Sequence, residues 1–262
     1  MQTSKPEKRL TLTGIPGLDE MLGGGIPKGH AISIFGGPGA GKTTFSLQFL
    51  YNGAALYDEP GVYISLDESI SDIKRNTKAF NWDFETMEKE QKISFLDASF
   101  FKRISDVLRV PENEKNNERN YSTSSLRKLV DDTIQEMDAR RVVVDPLSTL
   151  IFQYPELHER RLAIIDLIAT LRSRPDCTSL IIMDLRSSSL EREYQIEEFL
   201  TQGTIILQTM VQPETGLMRV GLIEKMRGAD HDTQPRPYLI TNQGINMFPT
   251  EKIYASGNQS MK

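Results

Sequence analysis

Short apolar runs rich in β-branched residues alternate along the chain with longer segments whose apolar positions recur every three or four residues. The first pattern fits buried strands and the second fits helices that bury one face. Residues 31–37 (AISIFGG) read as a strand, and 43–57 (TTFSLQFLYNGAALY) as the helix that follows it, starting at Lys42. Residues 61–67 (GVYISLD) read as the next strand, after which Ser69 starts a helix running to about Phe80. KISFLDA (92–98) is a third strand, and 122–139 has helical periodicity behind polar capping residues. Arg141–Asp145 (RVVVD) is a short strand with three consecutive valines on both alternating sets, which predicts a central strand covered on both faces. An amphipathic helix over 157–173 and a further buried strand over 179–184 complete the alternation. Such a series predicts an α/β fold with a mostly parallel central sheet flanked by helices.

The texture then changes. GTIILQTMVQ, GLMRVGLIEKM and RPYLITNQGINMF read as strands joined by tight turns, predicting a C-terminal antiparallel extension of the sheet. Residues 111–120 and 186–195 read as loops, the first polar and charged. No repeat and no dividing linker occurs, so residues 1–262 are expected to form a single domain, with a core of about 10–250 and short flexible termini. With 38% hydrophobic and 26% charged residues, the composition is that of a soluble globular protein. The net charge of −5 weakly disfavours a nonspecific nucleic-acid coat, which needs Lys and Arg against phosphates. The single cysteine, Cys177, excludes an internal disulfide and a cysteine zinc cluster, and its apolar surroundings read as core. No apolar signal core and no run of about 18 apolar residues occurs, so a cytoplasmic location away from membranes is expected.

Residues 36–43 fit G-x-x-x-x-G-K-[ST] completely, between a strand and a helix. Glycines let the backbone approach phosphates, and the helix start offers N–H donors to an anion. Gly37, Pro38, Gly39, Ala40, Gly41, Lys42, Thr43 and Thr44 are therefore the expected ATP cradle, with Lys42 on the β- and γ-phosphates and Thr43 on Mg²⁺. Asp145, ending an apolar strand, is the expected second acidic group, holding Mg²⁺ through water. Asp184 ends another such strand and competes for that role, although a sensor residue fits its place better. Hydrolysis needs a base to orient water. Asp67 and Glu68 end the strand after the loop helix; Glu68 is the expected base and Asp67 shapes its field, with Asp67 as a helix cap the competing reading.

TGIPGLDEMLGGGIPKG followed by GGPGAGKTTFSLQFLYNGA resembles the KaiC branch of the RecA-like P-loop ATPases. The resemblance continues through EPGVYISLDES, FNWDFETM, ISFLDAS, ARRVVVDPLSTL, EEFLTQGTIIL, LIEKMRGADHD and ITNQGINMFP, about residues 13 to 249. The chain is close to one KaiC module, where the clock ATPase carries two. The resemblance implies a RecA-like fold and a homo-oligomer, expected to be a hexameric ring, with ATP and Mg²⁺ between neighbours. It implies that Lys225 and Arg227, around Met226, reach a neighbour's γ-phosphate, with His231 and the Thr241 region near the nucleotide from the same side. Cations supplied in trans stabilise a phosphoryl-transfer transition state. Trp82 reads as a core aromatic beside a helix.

Departures refine this picture. Asp67 stands where many members have a second glutamate, and Asn242 where the clock protein has an aspartate. Glu198 and Phe199 occupy the place of phosphorylatable residues in the autokinase module, so a slow ATPase without programmed autophosphorylation is expected. Ser187, Ser188 and Ser189 lie in the second loop, open to modification. The leading functional expectation is an ATP-dependent ring that regulates a protein partner. A recombinase paralogue or nucleic-acid motor would use residues 186–195, where Arg186 and Arg192 are offset by Glu191 and Glu193 and only Tyr194 offers stacking. A nucleotide-switched scaffold with negligible turnover is the third reading.

Overall fold

Nine strands share one sheet in the computed structural model, which describes residues 10–99, 123–152, 157–185, 195–212 and 216–253. In chain order the elements are β1 (Leu10–Thr11), α1 (Leu18–Met21), β2 (Ile26–Pro27), β3 (Ala31–Gly36), α2 (Lys42–Tyr57), β4 (Gly61–Ser65), α3 (Ile70–Thr77), α4 (Phe84–Lys89) and β5 (Ile93–Asp97). They continue as α5 (Thr123–Glu136), β6 (Arg141–Asp145), α6 (Leu147–Phe152), α7 (Leu157–Arg172), β7 (Thr178–Asp184), α8 (Ile196–Leu200), β8 (Gly203–Gln212), β9 (Gly216–Met226), β10 (Arg236–Thr241) and β11 (Gly244–Met247). The loop expected at 111–120 lies outside the described residues, as does all of 186–195 except Gln195.

The sheet order is β11-β10-β9-β8-β3-β7-β6-β4-β5. From β8 to β5 every neighbouring pair is parallel, whereas β9, β10 and β11 extend it in antiparallel fashion. β1 and β2 form a separate two-stranded ribbon. Alternation along the inner strands divides two cores. Val143, Leu180 and Ile182 face Phe45, Phe49 and Leu50 of α2, while Val142, Val144 and Ile181 face Ile164, Ile168 and Leu171 of α7. Cys177 is buried in the second core, and burial pushes its thiol up to about 12. No helix among the described residues is long and apolar enough to cross a membrane.

The expected strands and helices are present, with shifted ends. β4 stops at Ser65, not Asp67. Ser69 is the cap of α3, its Oγ accepting from the Asp72 N–H at 3.2 Å, so the helix begins at Ile70 and ends at Thr77 rather than near Phe80. This also sets aside Asp67 as the helix cap. The short helices α4 and α6 lack the length to imprint a periodicity on the sequence. Trp82 is half-buried against the first core, stacked on Phe80 at 4.5 Å and near Tyr51 at 6.1 Å.

Arg141 begins β6 with no solvent exposure. Its Nε and Nη2 donate to Glu59 Oε2 at 2.8 and 2.6 Å, its Nη1 to the Phe49 carbonyl at 2.8 Å, and its Nη2 also to the Leu12 carbonyl at 2.7 Å. The guanidinium lies 4.5 Å from the Phe49 ring centroid. It occupies space that only a glycine leaves: a Cβ on Gly53 would lie 2.3 Å from its Cδ. Burial pushes the guanidinium pKa down, and Glu59 counters that. Removing one partner of such a pair strands the other charge. Glu59→Ala is therefore expected to destabilise the fold by about 3 kcal/mol, read as a lower urea midpoint at unchanged slope; an unchanged midpoint would refute the dependence.

Candidate functional site

The loop between β3 and α2 turns through Gly39 and Gly41, both left-handed at φ 74° and 85°, a region that favours glycine. A Cβ on Gly37 or Gly39 would meet nothing within 4 Å, so one side of the loop is an open cradle beside the N-terminus of α2. Pro38 is exposed, Ala40 is buried, and Thr44 is half-buried in the first turn of α2. The Ala40 carbonyl accepts from Tyr238 Oη at 2.5 Å, and the Gly39 carbonyl from Arg219 Nε at 3.3 Å, so the loop is braced by β9 and β10.

Lys42 Nζ donates to the Gly36 and Gly37 carbonyls at 2.8 and 3.3 Å and pairs with Asp184 Oδ1 at 3.2 Å. Thr43 Oγ1 donates to Asp145 Oδ2 at 3.0 Å, and Tyr63 Oη donates to the same oxygen at 2.6 Å. The acidic partner of Thr43 is thus Asp145; Asp184 instead pairs with Lys42 and accepts from Ser148 Oγ at 2.6 Å. Asp67 and Glu68 are exposed at the rim of the same cleft, and Ser65 Oγ donates to the Glu68 carbonyl at 2.5 Å. The cleft measures about 180 Å³. Burial pushes the Asp145 carboxyl up to about 6, against the opposing pull of the Tyr63 and Thr43 hydrogen bonds and the Lys42 charge. Burial and the adjacent Asp145 push the Tyr63 phenol well up, so it stays a donor.

These residues fit a nucleotide with its cation. Thr43 and Asp145 offer one hydroxyl and one carboxyl, the sparse protein ligation typical of Mg²⁺ held partly by phosphates and water. Sequence reasoning missed Tyr63, Ser65 and Ser148. Alternation along β4 puts Tyr63 and Ser65 on the same face, and a hydroxyl inside an apolar strand was the available signal.

The residues expected to act in trans are not all together. Gly36 is level with Leu207 and Gly221, whereas Lys225 is level with Thr204 and Ser33, about 10 Å toward the opposite edge of the sheet. Lys225 Nζ donates to the Glu198 and Thr201 carbonyls, each at 2.7 Å; burial and then Arg227 pull its pKa down. Arg227 is exposed just beyond β9, its N–H bonded to the Gln202 carbonyl at 2.8 Å. His231 lies in the segment that follows, between Asp230 and Asp232, whose N–H reaches the Met21 carbonyl at 2.8 Å.

One expectation is corrected. Thr241 does not share that edge with His231: β10 runs back toward the loop, Ile240 Cδ1 would lie 2.6 Å from a Cβ on Gly41, and Thr241 Oγ1 donates to the Gly244 carbonyl at 3.1 Å. The Met226 side chain is 4% exposed and packs on Gly203 in the core, so at this position the backbone is what faces outward beside Lys225 and Arg227.

A glycine loop, a lysine and a threonine backed by a strand-end aspartate, on a parallel sheet with an antiparallel extension, define a P-loop NTPase of RecA-like fold. Residues 11–252 match the family model for the KaiC ATPase, and the chain belongs to that family. It is 35% identical over 240 residues to a UPF0273 protein of Thermotoga maritima, covering 91% of this chain and 96% of that one. It is 32% identical over 237 residues to the circadian clock oscillator protein KaiC of Synechococcus elongatus, covering 90% of this chain but only 44% of the clock protein's length. The crystal structure of a KaiC-like protein from the hyperthermophilic archaeon Pyrococcus horikoshii matches with a TM-score of 0.78 at 31% identity, covering 93% of this chain and all of that one.

The elevated pKa of Asp145 has a stability consequence. Between about pH 4 and 6 the folded protein keeps a proton that the unfolded chain has lost, so this group's stabilising contribution falls as pH rises through 6. Asp145→Asn removes that loss. In metal-free buffer the variant is expected to gain on the wild type from pH 4 to pH 7, by up to about 3 kcal/mol, in urea unfolding. Parallel pH curves would show that Asp145 is not desolvated.

Proposed function

We propose that the chain is a slow Mg²⁺-dependent ATPase that works as a ring, expected to be hexameric, and regulates a protein partner. The observation that carries the reading is the convergence of Thr43 and Tyr63 on one oxygen of Asp145 beneath an open glycine loop, with Glu68 at the rim. Lys42 holds the β- and γ-phosphate oxygens, exchanging its loop-carbonyl and Asp184 partners for them. Mg²⁺, when bound at Thr43 and Asp145, neutralises charge building on those oxygens. Glu68 accepts a proton from, and orients, the attacking water, and Asp67 adds negative potential beside it.

Two features support assembly. The loop is open on one side at Gly37 and Gly39, so phosphates held there stay accessible to a neighbour that could cover them. Lys225 and Arg227 lie too far from their own loop to serve it, which suits donation in trans, and a head-to-tail contact of this kind gives a ring where its rotation closes. Autophosphorylation near 198–199 is not expected. Glu198 is a buried carboxylate whose Oε1 accepts from the Gln195 N–H at 2.7 Å, and it offers no hydroxyl to receive a phosphoryl group. The nucleic-acid reading depends on residues 186–194, which lie outside the described structure.

Lys42→Ala is expected to abolish ATP binding, and unchanged affinity in calorimetry would remove the loop from the site. Arg227→Ala is expected to spare binding and cut turnover roughly 10³-fold. Co-assembling Arg227→Ala with Glu68→Gln subunits creates some interfaces with both residues intact, recovering about a quarter of wild-type turnover at equal mixing; no recovery above either parent would defeat the trans arrangement.

A further inference from the structure

Tyr63 is 1% exposed in β4 and level with Phe95 on one side and Val143 on the other. Its ring packs against Phe95 at 5.7 Å. For filling that space, phenylalanine would serve as well; the hydroxyl is what distinguishes tyrosine. A buried hydroxyl among apolar neighbours is costly unless hydrogen-bonded. Here it is bonded, at 2.6 Å, to Asp145 Oδ2.

That oxygen also takes the Thr43 hydroxyl, at 3.0 Å. Two donors on one carboxylate oxygen occupy its two lone-pair directions, and Oδ1 carries neither bond. Thr43, having donated its only hydroxyl hydrogen, keeps its own lone pairs for a cation. The two bonds thus divide the work of the carboxyl group: Oδ2 is committed to the protein and Oδ1 is left for a metal's hydration shell. The tyrosine ring cannot withdraw, because the sheet and α2 enclose it.

We propose that Tyr63 is a positioning residue for Mg²⁺, fixing the plane of the Asp145 carboxyl group so that Thr43 and Oδ1 address the same ion. The inference rests on the nucleotide reading above and deepens it. Tyr63 touches neither nucleotide nor reacting atoms; it acts through Asp145. Its loss therefore weakens the link between Mg²⁺ and ATP without changing how the loop holds phosphates.

The test compares wild type with Tyr63→Phe by displacement of a fluorescent ATP analogue, in EDTA and across graded Mg²⁺. The expected result is unchanged affinity in EDTA and a Mg²⁺ midpoint raised about tenfold, the worth of one hydrogen bond to a charged group. A purely structural role would lower affinity in both conditions alike, and that outcome overturns the proposal. On an Asp145→Ala background, which has no acceptor for the hydroxyl, Tyr63→Phe is expected to leave the Mg²⁺ midpoint where that background puts it; a further tenfold rise there would show that the hydroxyl does not act through Asp145. A Mg²⁺-linked wild type with an unaltered Tyr63→Phe midpoint overturns this inference alone. A wild type whose ATP affinity ignores Mg²⁺ overturns the Mg²⁺ site and this inference with it, and a wild type that binds no ATP analogue overturns the nucleotide reading itself.

Discussion

β6 lies between β4 and β7 in the interior of the sheet, yet it carries an ionisable residue at each end, Arg141 with no exposure and Asp145 with 7%. Burying charge there is costly unless each group is met by partners. One helix, α2, supplies a partner to each. Arg141 bonds the Phe49 carbonyl of α2 and lies against Gly53, while Asp145 accepts from Thr43 in the first turn of the same helix. α2 is thus pinned to β6 at two points along its length. The phosphate loop is the lead-in to that helix, so its distance from Asp145 is set partly by an arginine at the opposite end of the strand. Gly53 belongs to the same device, since a side chain there would push α2 away from β6.

Much of this was legible in the sequence, for reasons that differ by residue. The loop is a local motif whose glycines, lysine and threonine are fixed by what they contact, and residues 36–43 needed no tertiary information. Asp145 was legible because it ends the short VVV run of β6, although Asp184 ends a similar strand and only the Thr43 hydrogen bond separates the two. Tyr63 was not, because a tyrosine in a strand reads as core until its hydroxyl is seen to meet a carboxylate from the neighbouring strand. The end of β4 and the start of α3 were misplaced by two residues or fewer, since a serine cap competes with continued pairing and sequence does not weigh the two. Thr241 was put beside His231 because resemblance transfers residues and not register. Only the antiparallel pairing of β9 with β10 reveals that the chain has turned back toward the loop.

The same register gives the sheet a chemical polarity. At the loop edge stand Asp67, Glu68, Asp145 and Asp184 around Lys42, with Arg219 on the far side of the loop. At the opposite edge stand Lys225, Arg227 and Arg172, the last with Nη1 3.4 Å from the Leu200 carbonyl and close enough to His30 to help burial pull that imidazole's pKa down. Under the proposed trans arrangement these cations would meet the acidic loop edge of a neighbour, a head-to-tail contact.

Within that arrangement the two cations are not equivalent. Lys225 already closes the end of α8, donating to the Glu198 and Thr201 carbonyls. To reach a neighbour's phosphate it would have to surrender bonds that hold its own chain, and a variant at this position mixes local unfolding with lost catalysis. Arg227 sits one step beyond the strand, anchored by its backbone to Gln202 with an exposed side chain. Its planar guanidinium suits bidentate contact with phosphate, where an ammonium offers a point charge. Under the proposed trans arrangement, Arg227 would therefore be the residue whose loss reports on the neighbour's chemistry, and Lys225 the one that would tie that chemistry to α8 of the subunit donating it.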